Sequence, residues 1–494
     1  MTKNVFLLAS VFITGTAVLI VEILAIRILS PYYGNTIYTT SSVIGVILAA
    51  LSLGYYIGGK TADKYPYAKV FYLIIFGSGL TILVMQVISS ALLQLFSGLF
   101  SITLGPLIFS SIIFFGPAFA LGTVSPIAIK LHKTSDEKLG RTAGEIFFWS
   151  TLGSICGTIL SGFFLIPYFG INAIMTGVGA ILSVWGLMHF LSQKPFHKEG
   201  VLIMVLLISA SLFAQNIYTQ KNQWVIYEKD GMYEKIKIVD GEWKGQPARF
   251  LFQDRSYSAA IYKNSDNLVY DYTKYYALYQ LINPTASRAL VLGGGAYSIP
   301  RALLKDSPTM QVDVAEIEPE LYANAKKYFN LEENPRLHNY TEDGRRLLVK
   351  TNTAYNIIVG DAYYSLFSIP IHLTTKEFFT LAKSKLTSNG VFIGNFAGSL
   401  KQENQSLIIS EMKTFKSVFE NSYFFAVESP DSTKPQNVIF LGINGSKKID
   451  FAINPTLAQK NINTSTIDFS GNNEITDNYA PIEYLVGKVI SRWY

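Results

Sequence analysis

At 494 residues the chain has room for two or three domains, and 41 Lys and Arg against 35 Asp and Glu leave a formal charge of +6. Residues 1–219 hold eleven basic and six acidic residues between long apolar runs, whereas residues 220–494 mix 30 basic with 29 acidic ones. The excess charge therefore belongs to loops between apolar segments, and the absence of a basic stripe argues against nucleic acid as a partner. Cys156, the single cysteine, excludes an intrachain disulfide and a cysteine-based zinc site. The five histidines, at 132, 189, 197, 338 and 372, lack metal-ligand spacing.

Seven apolar segments come first, at about 5–29, 36–59, 70–97, 103–129, 143–167, 171–192 and 200–216. Most carry the roughly 20 apolar residues that a bilayer crossing needs. The seventh has an unbroken apolar core only from Val201 to Phe213 and fits either a short span or an interfacial helix. The first is too long for a cleaved signal peptide and is followed by others. Lys60, Lys64 and Lys69, then Lys130, Lys133, Lys138 and Arg141, then Lys194 and Lys198 occupy alternate loops, and the loops at 30–35, 98–102 and 168–170 are uncharged. The positive-inside rule puts the charged loops and the N-terminus in the cytoplasm. Seven spans then place the rest of the chain outside the cytoplasmic membrane, and six leave it inside; the loop bias and the apolar 201–213 stretch favour the outside. Glu22 and Arg27 lie within the first span, as a structural pair or as part of a polar path. Gly54-Tyr55-Tyr56-Ile57-Gly58-Gly59-Lys60-Thr61-Ala62-Asp63-Lys64 resembles the loop between the second and third helices of major-facilitator transporters. Gly140-Arg141-Thr142-Ala143-Gly144-Glu145, with Gly153, Gly157 and Gly162 after it, resembles their fifth-helix region, although small residues at such spacing also serve plain close packing.

Residues 224–265 alternate polar and apolar in short runs punctuated at Asp240-Gly241 and Gly245-Gln246-Pro247, which predicts a small antiparallel β region, and a helix is expected at 271–283. Arg288–Leu292 then forms a short apolar strand running into Gly293-Gly294-Gly295 and a helix at 297–305. A second strand, Val312–Ala315, ends in Glu316-Ile317-Glu318, at a spacing suited to a nucleoside-binding βαβ unit. The turn lacks the third glycine of a pyrophosphate loop and has no basic residue, so S-adenosylmethionine or a relative fits better than NAD. Helices at 319–329, from 345 and at 374–386 alternate with strands at 337–340, 355–361 and 390–393, and a hairpin at 421–427 and 437–443 closes the series. Thr374 or Thr375 starts the 374–386 helix, with Glu377 in its first turn.

The fold class expected is an all-α multispanning membrane domain (1–219), a small β region with a linking helix (220–285), and an α/β Rossmann-like domain of methyltransferase type (286–494). Glu316, Asp343 and Asp361 follow three successive strands, at the edge where open parallel sheets bind ligands. Glu316 would take ribose hydroxyls, Asp343 the adenine amino group, and Asp361 would face the reacting carbon and its nucleophile. His372, between the strand and the next helix, either lines a gate over the site or caps and packs. Tyr363 and Tyr364 are candidate pocket walls.

On Val291-Leu292-Gly293-Gly294-Gly295, Val314-Ala315-Glu316-Ile317-Glu318-Pro319-Glu320, Glu342-Asp343-Gly344-Arg345 and Ile357-Ile358-Val359-Gly360-Asp361-Ala362-Tyr363, the chain resembles spermidine synthase-type aminopropyltransferases. Thr476-Asp477-Asn478-Tyr479-Ala480-Pro481-Ile482-Glu483 resembles the closing segment of the bacterial members fused to a multispanning N-terminal domain. The resemblance implies a multi-pass protein of the bacterial cytoplasmic membrane, compatible with a homodimer. Decarboxylated S-adenosylmethionine would give an aminopropyl group to putrescine or another small amine and release methylthioadenosine. It also implies that Gly293, Gly294, Gly295, Glu316, Asp343 and Gly344 hold the nucleoside and that Asp361 orients or deprotonates the amine.

The acid that follows the glycines in that family is Ala296 here, and the second aspartate of its active-site pattern is Tyr364. Its tyrosine-histidine-glutamate reads Tyr270-Asp271-Tyr272, and a glutamine near the first hairpin is replaced by Glu234, after Tyr233. Two ammonium-binding carboxylates are thus missing, which leaves a diamine poorly compensated unless Asp271 or Glu234 substitutes. Tyr270, Asp271, Glu234, Tyr364 and His372 make up the candidate substrate set. Two other readings stand beside this one: methyl transfer or other chemistry on intact S-adenosylmethionine, and a non-catalytic nucleoside sensor or transport-associated protein. Turnover distinguishes them.

Overall fold

In the first of the chain's two units, Met1–Asn222, apolar runs longer than a bilayer is thick become long helices. The computed structural model describes residues 2–132, 139–191, 224–362, 369–403 and 405–490. Among them, five helices are long and apolar enough to cross a membrane: Asn4–Tyr33 (α1), Ile37–Lys64 (α2), Ala68–Leu99 (α3), Leu139–Tyr168 and Ile171–Phe190. A helix pair, Gly105–Ile113 (α4) and Phe115–His132 (α5), bent by 50° at the break, makes a sixth where the two count as one span. Pro117 has no N–H to give the carbonyl of Ile113, so the helical ladder fails at that point. In chain order Leu139–Tyr168 is then α6 and Ile171–Phe190 is α7. The expected segment at 200–216 lies outside the described residues.

The glycines of this unit set how closely its helices approach. A Cβ on Gly15 would lie 2.2 Å from the carbonyl oxygen of Ser150, one on Gly153 2.1 Å from that of Phe12, and one on Gly157 2.4 Å from that of Thr16. Thr16 and Ser154 use the proximity, donating from Oγ1 to Gly153 O (3.0 Å) and from Oγ to Gly15 O (3.2 Å). Gly54 and Gly58 admit α5 against α2 in the same way, whereas a Cβ on Gly144 or Gly162 meets open space. An Asp63–Lys130 ion pair (2.8 Å) ties α2 to α5, and His132 reaches Glu145 on α6 at 3.1 Å.

The second unit, Gln223–Tyr494, begins with a four-stranded antiparallel sheet in chain order: β1 (Val225–Asp230), β2 (Lys235–Trp243), β3 (Gln246–Gln253) and β4 (Ser256–Tyr262). Asp240-Gly241 does not make the expected turn. Both residues stay in β2, opposite Arg249 and Ala248, and the chain reverses at Lys244-Gly245, whose φ angles of 50° and 75° suit a two-residue hairpin. The segment expected as a helix at 271–283 is a 3₁₀ stretch, Asp271–Leu278, ending in one α-turn, Tyr279–Ile282. Three residues per turn bring Tyr272, Tyr275 and Leu278 onto one face, which packs into an apolar cluster of the main sheet.

That main sheet has seven strands: β5 (Arg288–Leu292), β6 (Gln311–Ala315), β7 (Leu337–Tyr340), β8 (Tyr355–Gly360), β9 (Leu386–Gly398), β10 (Ser422–Ala426) and β11 (Gln436–Asn444), in the order β10-β11-β9-β8-β5-β6-β7. β5 to β9 run parallel, and β11 and β10 return antiparallel. Alternation buries both faces: Val291, Val312 and Val359 point to one apolar cluster, and Leu290, Leu292 and Ile358 to another. β5 lies between β6 and β8, so the strand order reverses beside it, and the crevice at that switch point is where such sheets take ligands. The chain is thus a multispanning helical region followed by a Rossmann-like α/β domain with a small β region at its front.

The close α1–α6 contact makes a specific demand. Gly153→Leu is expected to lower the melting temperature of the full chain in detergent, at an overpacking cost of about 1–3 kcal/mol. Gly144→Leu, on the same helix but facing open space, should leave it within a degree or two; equal melting of both variants would contradict the contact.

Candidate active site at the carboxyl edge of the sheet

Backbone contacts pull three strand ends together. Gly293 leaves β5 at φ 92°, where a Cβ would stand 2.3 Å from the carbonyl oxygen of Asp361. Its N–H donates to Ala315 O at the end of β6 (2.9 Å), and the N–H of Asp361 donates to Leu292 O (2.9 Å). Above these ends lies a cleft of about 570 Å³, lined among others by Gly293, Gly294, Gly295, Glu316, Asp343, Gly344, Asp361, Tyr270 and His372.

Glu316 is buried against the glycine turn. Its Oε2 accepts from the N–H groups of Gly294 (2.7 Å) and Gly295 (3.3 Å), and its Oε1 from that of Glu318 (2.8 Å). Burial raises its carboxyl above the ordinary range, and the three backbone donors only partly offset this. Asp343 caps the helix Gly344–Lys350 through Arg346 N–H (2.9 Å), and its Oδ2 lies 2.6 Å from Nε2 of His372. Burial alone would raise Asp343, but His372 and the helix N–H groups outweigh it and hold the carboxyl below the usual aspartate range. The His372 carbonyl accepts from Arg345, which in turn pairs with Asp477 of the closing segment. The acid expected at adenine is thereby tied to the residue expected at the gate.

Asp361 stands in a different environment. Burial pushes its carboxyl up to about 6, opposed by a hydrogen bond from Asn395 Nδ2 (3.0 Å) and one from the Tyr272 hydroxyl. Burial also raises Tyr272, so its hydroxyl stays protonated between Asp361 and the carbonyl of Ser258 (3.4 Å). Tyr270 stacks on Tyr272 with ring centroids 5.9 Å apart, and its own hydroxyl is buried without a partner among the described residues.

The structure does not bring the two candidate substitute carboxylates into the cleft wall. Asp271, at the start of the 3₁₀ stretch, pairs with Lys244 (3.1 Å) and Lys274 (2.6 Å). Glu234 is 3% exposed, hydrogen-bonded to Gln253, and raised well above the ordinary range by burial and by neighbouring Asp254, Glu316 and Glu318. Ala296 lines the cleft but belongs to an apolar cluster with Ile236, Leu251 and Phe329. Tyr363 and Tyr364 lie outside the described residues. Asn395, Asn437 and Glu428 also line the cleft without having been singled out, and Tyr272, named only as the last residue of Tyr270-Asp271-Tyr272, bonds to Asp361. An asparagine inside the apolar run Val391–Phe396 is the one sequence signal that could have marked Asn395.

The sheet order, the glycine turn and the acids beyond β6, β7 and β8 together form one cleft at the carboxyl edge of a Rossmann-like fold. Residues 278–452 match the spermine/spermidine synthase domain family. The chain is 32% identical over 150 residues to a polyamine aminopropyltransferase of Vibrio vulnificus, covering 30% of this chain and 48% of that protein. It is 22% identical over 450 residues to polyamine aminopropyltransferase 2 of Aquifex aeolicus, covering 87% of this chain and 86% of that one. A probable spermidine synthase from Corynebacterium glutamicum superposes with a TM-score of 0.44 at 20% identity, over 51% of this chain and 96% of its own. The chain spans about half the length of the Vibrio relative and is distantly related to these enzymes.

The raised Asp361 has a consequence for stability. Its folded pKa of about 6 exceeds the ordinary value near 4, so ionising it costs stability, increasingly between those pH values and constantly above them. Asp361→Asn should therefore stabilise the protein at pH 8 by up to about 2 kcal/mol, with the gain gone at pH 4. A destabilised variant at pH 8 in thermal melts would contradict this environment.

Proposed function

We propose that the α/β domain transfers an aminopropyl group from decarboxylated S-adenosylmethionine to an amine, anchored to the membrane by its helical region. The observation that carries the reading is Asp361 at the switch point, close enough to neutral pH to take a proton and oriented by Asn395 and Tyr272. In the transfer, the lone pair of the acceptor nitrogen attacks the propyl carbon next to the sulfonium. The N–C bond forms as the C–S bond breaks, sulfur keeps the bonding pair as the neutral thioether of methylthioadenosine, and the amine proton passes to Asp361. Glu316 and the glycine turn hold the ribose, and Asp343, kept ionised, accepts from the adenine amino group. The similarity to polyamine aminopropyltransferases supports the same assignment.

One observation favours a second reading. Ala296 puts an apolar surface where the related enzymes have an acid for the donor's amine, and a donor that retains its carboxylate, intact S-adenosylmethionine, would tolerate this better. The second reading is therefore methyl transfer, or other chemistry, on the intact donor.

Purified full-length protein incubated with either donor, with and without putrescine or spermidine, distinguishes them by mass spectrometry. Amine-dependent methylthioadenosine from the decarboxylated donor, reduced at least ~100-fold in Asp361→Ala, is the expected result. Turnover of the intact donor alone would transfer the assignment to the second reading, and no product from either would remove both. The kcat/KM for amine should rise with pH through about 6 as Asp361 ionises and then level off, and Asn395→Ala, which removes a hydrogen bond to the charged form, should move the rise to higher pH.

A further inference from the structure

The cleft extends beyond Asp361 along the carboxyl edge of the sheet, to a wall that the transfer step does not use. Asp361 follows β8, Asn395 lies on β9, Asn437 on β11, and Glu428 comes just after β10; these four strands are adjacent in the order β8-β9-β11-β10. All four side chains belong to residues lining the cleft. Asn437 Nδ2 donates to Asn395 Oδ1 (2.9 Å) and Asn395 Nδ2 to Asp361 Oδ1 (3.0 Å), so a polar row runs unbroken over three of the four strands.

The fourth position is built with care for its main chain. Gln436 Oε1 accepts from the N–H groups of Glu428 (2.8 Å) and Ser429 (3.1 Å), and its Nε2 donates to Ser429 O (2.7 Å). Lys460 Nζ donates to the carbonyls of Val427 (3.0 Å) and Glu428. The backbone of Glu428 is thus fixed on both sides by side chains, while its carboxylate has no hydrogen bond or ion pair among the described residues.

We propose that Glu428 is the distal anchor of the acceptor site and selects a linear polyamine longer than a four-carbon diamine; this rests on the aminopropyl-transfer reading. Neighbouring strands lie about 4.8 Å apart, so three strand steps separate the two backbone positions by roughly 14 Å, before the reach of either side chain is subtracted. An extended four-carbon diamine spans only about 6 Å between its nitrogens at roughly 1.25 Å per bond, whereas a triamine of the spermidine type spans about 11 Å. With its reacting nitrogen at Asp361, the longer amine places its far ammonium at Glu428 and its inner amine along Asn395 and Asn437. Neither Asp271 nor Glu234 is among the residues lining the cleft, so this carboxylate supplies the counter-charge that one or the other was expected to give.

The test uses the full chain in detergent, saturated with methylthioadenosine, and titrates spermidine and putrescine calorimetrically into wild type, Glu428→Gln and Glu428→Asp. Methylthioadenosine formation from the decarboxylated donor is followed in parallel. Spermidine is expected to bind more tightly than putrescine. Glu428→Gln should lose about fivefold in spermidine affinity, with the loss in catalysis appearing in KM and not in kcat, and Glu428→Asp should regain part of it. Turnover that is unchanged in Glu428→Gln, or a preference for putrescine, overturns the proposal and leaves the transfer reading standing. Absence of turnover with every amine, together with a Glu428-dependent preference for spermidine in binding, supports the anchor and overturns the transfer reading. Absence of both binding and turnover overturns both.

Discussion

A side chain at position 293 would place its Cβ 2.3 Å from the carbonyl oxygen of Asp361, far inside contact distance, and the φ of 92° there is one that L side chains rarely adopt. Only glycine lets β5 end against the backbone that leaves β8. The same approach lets the N–H of Asp361 reach Leu292 O and that of Gly293 reach Ala315 O, locking three strand ends into one edge. Glu316 then folds onto the amides of Gly294 and Gly295, and Asp361 lines the same cleft. If the strand ends spread, the acid from β6 and the acid from β8 no longer line one cleft.

Two aspartates on that edge are driven in opposite directions. Asp343 has helix N–H groups and His372 as partners and is held ionised, whereas Asp361 has two neutral donors and little solvent and sits near 6. A pair of carboxyls separated in this way divides the labour of a site: one remains a fixed hydrogen-bond acceptor and the other exchanges a proton. The division depends on distant parts of the chain. His372 is positioned by Arg345, and Arg345 by Asp477, more than a hundred residues further on.

The parallel strands and their terminal acids were legible in the sequence because each is a short apolar run with a glycine or an acid at its end, and the sheet keeps that linear order as spatial order. Asp343 and Glu316 could be placed on the edge for that reason. Three other features were not legible. Asp271 looked available to a substrate, but the 3₁₀ stretch it begins presents it to Lys244 and Lys274, and a helix-period reading cannot supply that direction. That β2 runs through Asp240-Gly241 was another, because Asp240-Gly241 and Gly245-Gln246-Pro247 both carried turn signals and the chain reverses only at the second, at Lys244-Gly245. Asn437 and Glu428 join the cleft only through the antiparallel return of β11 and β10, a pairing that no local pattern around them announces. In the helical unit, spacing marked Gly153 and Gly157 correctly as small positions, but which neighbour they admit is a property of helix packing alone.

The domain also buries more acid than its site requires. Glu234 and Glu318 are 3% and 1% exposed, each with one oxygen lacking a partner, and Glu411 is fully buried with neither oxygen bonded among the described residues. Burial raises all three carboxyls, so each is favoured in its neutral form. By linkage, a carboxyl whose folded pKa exceeds its unfolded one lowers stability as pH rises through that interval. Asp361 obeys the same sign, yet the transfer proposed for it needs the charged form, which predominates only above about pH 6. At Asp361, stability and the proposed catalysis therefore pull toward opposite ends of the pH scale. The partners already present fit this arrangement. Asn395 and Tyr272 lower Asp361 toward its working form, while Glu411 is given no donor that would do the same.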